Sequence, residues 1–135
     1  MAARPIGVHV KVDVGMHRHG VAPAQALDVL ERAAREPQLR VEGLMTHLPS
    51  PNDDATTRRQ VEDFADVVAS AERAGLRPPR VHAAASAAMF RFPEARFDMV
   101  RAGIALVGLD PDGRAHADGE TRRQEADQEL SLIHI

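Results

Sequence analysis

The sequence predicts an α/β fold built on a parallel sheet, and three observations lead there. Short apolar stretches, Val8–Val14, Val41–His47 and Val81–Ser86, alternate with longer stretches whose apolar residues recur at helical spacing. Strands that alternate with helices are the mark of βα units. Polar residues, Arg18, His47, Ser86 and Arg101, stand just beyond the apolar stretches, and in an α/β barrel that rim is where active sites are built. About four strands are expected, half of a (β/α)8 barrel.

The first strand is the clearest. Val8, Val10, Val12 and Val14 alternate with His9, Lys11 and Asp13, and Gly15 and Gly20 bracket a turn rich in charge. Residues 23–36 carry Leu27, Leu30, Ala33 and Ala34 on one helical face, with Pro23 suited to the opening turn and Pro37 to the stop. Val41–His47 is the second strand, with Gly43 inside it, and the loop 48–54 offers Asp53 or Asp54 as a helix N-cap. The longest helix is expected over 55–74, where Val61, Phe64, Val68 and Ala71 form a stripe and Gly75 is placed as the residue after the C-cap. Val81–Ser86 reads as a third strand, Ser86 to about Phe90 as a short helix, and Phe97–Val100 as a fourth strand. Residues 1–111 are therefore expected to form part of a barrel domain. Residues 112–135, charged and without periodicity before an apolar end, are expected to be a linker and an unstructured tail.

Composition narrows the chemistry. The chain has 135 residues, 44% hydrophobic and 27% charged, with a net charge of -3; this is globular and gives no reason to expect nucleic acid or an anionic membrane. Cysteine is absent, which excludes disulfides and thiolate metal sites. No stretch has the length or apolarity of a membrane span or a signal peptide, so a cytoplasmic location is the expectation. There is no tyrosine, and Lys11 is the single lysine.

Arg18 and Arg101 at strand ends can hold a phosphate, a carboxylate or the polar edge of a heterocycle. Ser86, between strand and helix, suits a phosphate held with backbone N–H groups, and Gly103 with Ile104 can present bare N–H groups to the same ligand. His47 and His82 on neighbouring strands, with an arginine beyond, can form a relay. Each also fits a plain structural role: a surface arginine, a capping serine, a turn glycine, a hydrogen-bonded core histidine. His17 and His19 form an HxH pair, but a metallohydrolase barrel places HxH on an early strand and its lysine later. Here Lys11 precedes both histidines, and no metal is expected.

Four ordered motifs, KVDVGMHRHG, GLMTHL, HAAASAA and RFPEARFDMVRAGIALVGLDP, closely resemble alanine racemase, a pyridoxal-phosphate enzyme of fold type III. The resemblance runs from about Val8 to Pro111 and implies a fragment of the N-terminal barrel domain, its second half. It implies pyridoxal 5′-phosphate as cofactor, alanine as substrate, a homodimer, and D-alanine supply for peptidoglycan. Arg18 resembles the arginine that bonds the cofactor's phenolic oxygen, and Lys11 the lysine, carbamylated in some members, that supports it. His47, His82 and Arg101 match the supporting catalytic network, with Arg101 facing the pyridine nitrogen. Ser86, Gly103 and Ile104 match phosphate-binding positions. Ala85 stands where the family usually has Asn, and Val107 where it commonly has Tyr. The resemblance places the cofactor-bearing lysine upstream and the second base, a tyrosine, in the partner's C-terminal domain. On that reading the segment alone is inactive, and its half-open sheet is marginally stable. A cofactor-binding barrel without racemase activity is the second reading, and a metal-dependent hydrolase the third.

Overall fold

The computed structural model describes residues 4–49 and 52–107. The expected linker and tail, 112–135, lie outside the described residues. Three strands, β1 (Ile6–Lys11), β2 (Leu39–Met45) and β3 (Arg80–His82), pair in parallel in the order β1-β2-β3. Between them run α1 (Ala26–Arg35), entered through a 3-10 turn at Pro23–Gln25, and α2 (Asp54–Arg73); α3 (Ser86–Arg91) follows β3.

The strand alternation sorts the two faces of the sheet. Val10, Val12, Leu44 and Val81 are buried in one cluster with Leu30 of α1 and Phe64, Val67 and Ala71 of α2. The side chains between them in sequence, His9, Lys11, Met45 and His82, belong by the same alternation to the opposite face. Both helices therefore cover one side and leave the other for the polar groups. A second cluster of Leu48, Val61, Ala84, Ala88, Met89 and Phe92 extends the core beneath α3.

The helix ends follow the sequence signals. Asp53 is the N-cap of α2, its carboxylate accepting from the Thr56 N–H at 3.1 Å. At the other end Gly75 takes φ +68°, its N–H bonds the Glu72 carbonyl, and the Leu76 N–H bonds that of Ala71. These two bonds define a Schellman motif.

Three expectations need correction. The first strand ends at Lys11 rather than Val14. Val21 returns beside it, its N–H bonding the Lys11 carbonyl at 2.9 Å and its carbonyl accepting from the Asp13 N–H at 2.8 Å. This closes a loop over 13–20. Residues 97–100 form no strand. Phe97 has φ +49° and packs edge-on against Phe64, with centroids 5.3 Å apart. Asp98 keeps one backbone bond to β3, its N–H donating to the Val81 carbonyl at 3.0 Å, but its carboxylate takes the Val81 N–H at 2.8 Å and accepts from Arg77 at 2.8 and 2.9 Å. With β3's edge donor satisfied by a carboxylate, the backbone ladder stops. The Arg101 backbone pairs with the sheet end only as an isolated bridge with Ala85. β3 is correspondingly short, and the residues expected to complete it, 83–86, lead into α3 instead.

Candidate active site

The site is assembled where β2 and β3 end. The Arg101 backbone N–H bonds the Ala84 carbonyl at 3.0 Å, which brings its side chain over the strand tips. There the guanidinium donates to the carbonyls of Thr46 (2.9 Å) and Ala83 (3.0 Å), to Nδ1 of His82 (2.6 Å) and to Nδ1 of His47 (3.3 Å). Strand-end carbonyls have no ladder partner, so the arginine both satisfies them and is held by them. Thr46 is fixed in turn by its hydroxyl, which donates to the Val12 carbonyl at 2.8 Å.

A guanidinium has no acceptor. His82 Nδ1 must therefore carry a lone pair, and the neutral ring places its proton on Nε2. That nitrogen lies 2.8 Å from Nδ1 of His9, so the network runs His9, His82, Arg101, His47. His82 is 2% exposed. Burial, then the Arg101 charge, then His9 hold its pKa down at about 4. The His47 pKa is lowered as well, by burial first and then by the charges of Arg101, Lys11 and Arg18. Burial alone lowers that of Arg101, although a guanidinium stays protonated in any case.

Along with the charge of Arg101, those of Lys11 and Arg18 lie near enough to His47 to lower its pKa. Arg18 is carried on the 13–20 loop, and that loop is pinned from inside. One carboxylate oxygen of Asp13 accepts from the N–H groups of Gly15 (2.9 Å), Met16 (2.7 Å) and His17 (3.1 Å). These bonds keep the Asp13 pKa below the usual carboxylate range and hold His17 at φ +52°. His17 and His19 are exposed. Among the described residues no three His, Cys, Asp or Glu side chains lie together as a metal site would need.

Ser86 opens α3, its hydroxyl accepting from the N–H groups of Gly103 (2.9 Å) and Ala105 (3.3 Å). The Gly103 N–H, expected to be bare, is donated to Ser86 here, and Ile104 lies between the two donors in the 3-10 turn Ile104–Val107. A hydroxyl accepting two bonds still has its own proton to donate. Ala85 is the N-cap of α3 and supplies no side-chain bond, the place where an Asn would cap the helix.

The sequence singled out every member of this network except His9, which lies mid-strand and bonds across β2 to β3. No sequence signal marked it, because its place opposite Gly43 is set by the register of β1 on β2. Asp13 was equally unremarked as a loop anchor.

Residues 1–111 match the family model described as alanine racemase, N-terminal domain. The alanine racemase of Sorangium cellulosum is 43% identical over 108 residues, 78% of this chain and 28% of that protein. That of Symbiobacterium thermophilum is 44% identical over 106 residues, 77% of this chain and 28% of that protein. The crystal structure of alanine racemase from Corynebacterium glutamicum superposes with a TM-score of 0.74 at 34% identity, over 87% of this chain and 34% of that one. The Bacillus anthracis alanine racemase structure with bound L-Ala-P gives 0.72 at 30% identity, over 81% of this chain and 29% of that one. The chain spans less than a third of the curated relatives it matches, such as 28% of the first two. With the match to the N-terminal domain covering most of its length, the chain belongs to the alanine racemase family.

Proposed function

We propose that this chain is the cofactor-cradling part of a racemase that interconverts L- and D-alanine with pyridoxal 5′-phosphate. Its residues 1–111 would be the second half of the N-terminal (β/α)8 barrel. The observation that carries the reading is Arg101: a half-buried cation fixed by Thr46, Ala83 and His82, beside the Ser86–Gly103 pair and within the influence of Lys11 and Arg18. This donor set suits an anionic ligand that also has a basic ring nitrogen. Ser86 with the Gly103 and Ile104 backbone would hold the phosphate, Arg18 the phenolic oxygen, and Arg101 the ring nitrogen. Lys11, carbamylated, would support Arg18.

When bound, the cofactor supplies an electron sink that acidifies the α-proton of an amino acid. Arg101 sets how strongly it withdraws. A fixed cation with no proton to spare disfavours protonation of the ring nitrogen, which moderates withdrawal and suppresses side reactions. Racemisation needs a base on each face of the α-carbon, since a proton removed from one side must return to the other. With no tyrosine and with Lys11 committed to Arg18, both bases come from outside this segment, in a homodimer that supplies D-alanine for peptidoglycan from the cytoplasm. The 135-residue chain alone is then inactive.

The test is a coupled assay of D-alanine formation from L-alanine. The complete enzyme containing this segment is expected to racemise alanine, and the isolated chain to show none. A complete enzyme that binds the cofactor without racemising would instead favour the binding-barrel reading.

A further inference from the structure

We propose that His9 is a positioning residue for the Arg101 site: it reaches over Gly43 to hold the His82 ring in the orientation and tautomer that accept from Arg101. This rests on the racemase reading for its consequence in catalysis, but not for its geometry.

β1 and β3 are not paired with each other; β2 lies between them. A side chain on β1 can reach one on β3 only if β2 presents no side chain in between. Gly43 is the residue opposite His9, and a Cβ there would lie 2.5 Å from Cε1 of His9 and 2.8 Å from its Cγ. No side chain larger than hydrogen fits beneath that ring. The pairing that brings Gly43 to this position is irregular. Val8 pairs with Val41 but His9 with Gly43, so β2 carries one extra residue, Glu42, at the step. Without this bulge His9 would face Glu42. Bulges re-aim side chains beside functional sites, and this one opens the path from His9 to His82.

The chemistry requires such a path. Arg101 fixes the His82 proton on Nε2, and that N–H is buried with the ring. A buried donor without an acceptor is costly, and a rotated ring would relieve it by breaking the bond to Arg101. Nδ1 of His9 at 2.8 Å is the acceptor that removes the conflict, with the rings meeting edge-on at 5.0 Å between centroids. His9 therefore favours the one His82 orientation that also serves the arginine. It touches no ligand; it acts through His82.

The test labels the histidine rings of the full 135-residue chain with 15N and reads them by NMR. His82 is expected to carry its proton on Nε2, with a scalar coupling across the hydrogen bond to Nδ1 of His9. Gly43→Val is expected to abolish the coupling and mix the His82 tautomers. His9→Gln, which keeps an acceptor, is expected to retain the Nε2–H form, whereas His9→Leu loses it. Absence of the coupling in the wild type, or a proton on Nδ1 of His82, overturns the proposal. In the complete enzyme, His9→Leu is expected to lower kcat by about tenfold, the scale on which outer partners of a site act, with KM nearly unchanged and His9→Gln close to wild type. Unchanged kcat in His9→Leu overturns the positioning role. If the wild-type enzyme shows the coupling but no racemisation, the proposed function fails and the His9–His82 assignment stands.

Discussion

Acidification should destabilise this chain through His82. The ring is held neutral in the folded state with a pKa of about 4, against an ordinary value of 6.5. Between those two pH values the unfolded chain binds a proton that the folded chain refuses. Stability is therefore fully present above pH 6.5 and is lost as the pH falls toward 4. Each unit of separation is worth about 1.4 kcal/mol, so lowering the pH from 7 to 4.5 should cost about 3 kcal/mol through this residue. His47, whose pKa is also lowered, adds loss of the same sign. Asp13 and Asp53, with pKa values lowered from 3.8, contribute their losses only at more acid pH. Urea unfolding followed by circular dichroism at half-unit pH steps measures the loss. His82→Gln keeps an acceptor for Arg101 but does not titrate, and should flatten most of the dependence. A wild-type midpoint constant from pH 7 to 4.5, or an undiminished slope in His82→Gln, would refute the argument.

Three further variants test other contacts of the structure. Arg101→Leu strips donors from the Thr46 and Ala83 carbonyls and from His82; at about 1 kcal/mol for each bond lost, unfolding free energy should fall by about 3 kcal/mol. In the same variant the His82 pKa should rise from about 4 toward its ordinary value, read from ring-proton shifts, because the neighbouring charge is gone. Asp13→Ala leaves the Gly15, Met16 and His17 N–H groups without their shared acceptor. It should cost about 1–2 kcal/mol in denaturant and weaken pyridoxal-phosphate binding by the complete enzyme in fluorescence titration. Phe64→Ala empties the centre of the main core, where Phe64 is fully buried against Phe97. The loss should be about 3–5 kcal/mol by the same unfolding measurement, with the chain populating the folded state poorly if at all.

Most of the architecture could be read from local pattern. The valines at 10 and 12 lie on the covered face because a strand alternates, and α2 begins at Asp53 and ends at Gly75 because a carboxylate caps a first turn and glycine accepts a positive φ. The family followed from four ordered motifs that short-range signals alone could not tie together. The fourth strand failed for a reason that periodicity cannot see. FDMV reads as a strand, but only the Asp98 N–H bonds the Val81 carbonyl; the Val81 N–H and Arg77 go to the Asp98 carboxylate, and the ladder does not continue.

The sequence by itself singled out Arg18, His47, His82, Ser86 and Arg101 as polar residues in or just after its apolar stretches. Tertiary structure decided who bonds to whom. Arg101 lies 55 residues from Thr46, and His9 lies 73 from His82, separations at which no spacing rule applies. Whether His9 is a bystander or part of the network depends on the register of β1 against β2, shifted by one residue at Val8/His9. In a sheet, a shift of one residue exchanges the neighbour across the strand, so that single step is what sets Gly43, and not Glu42, beneath the His9 ring.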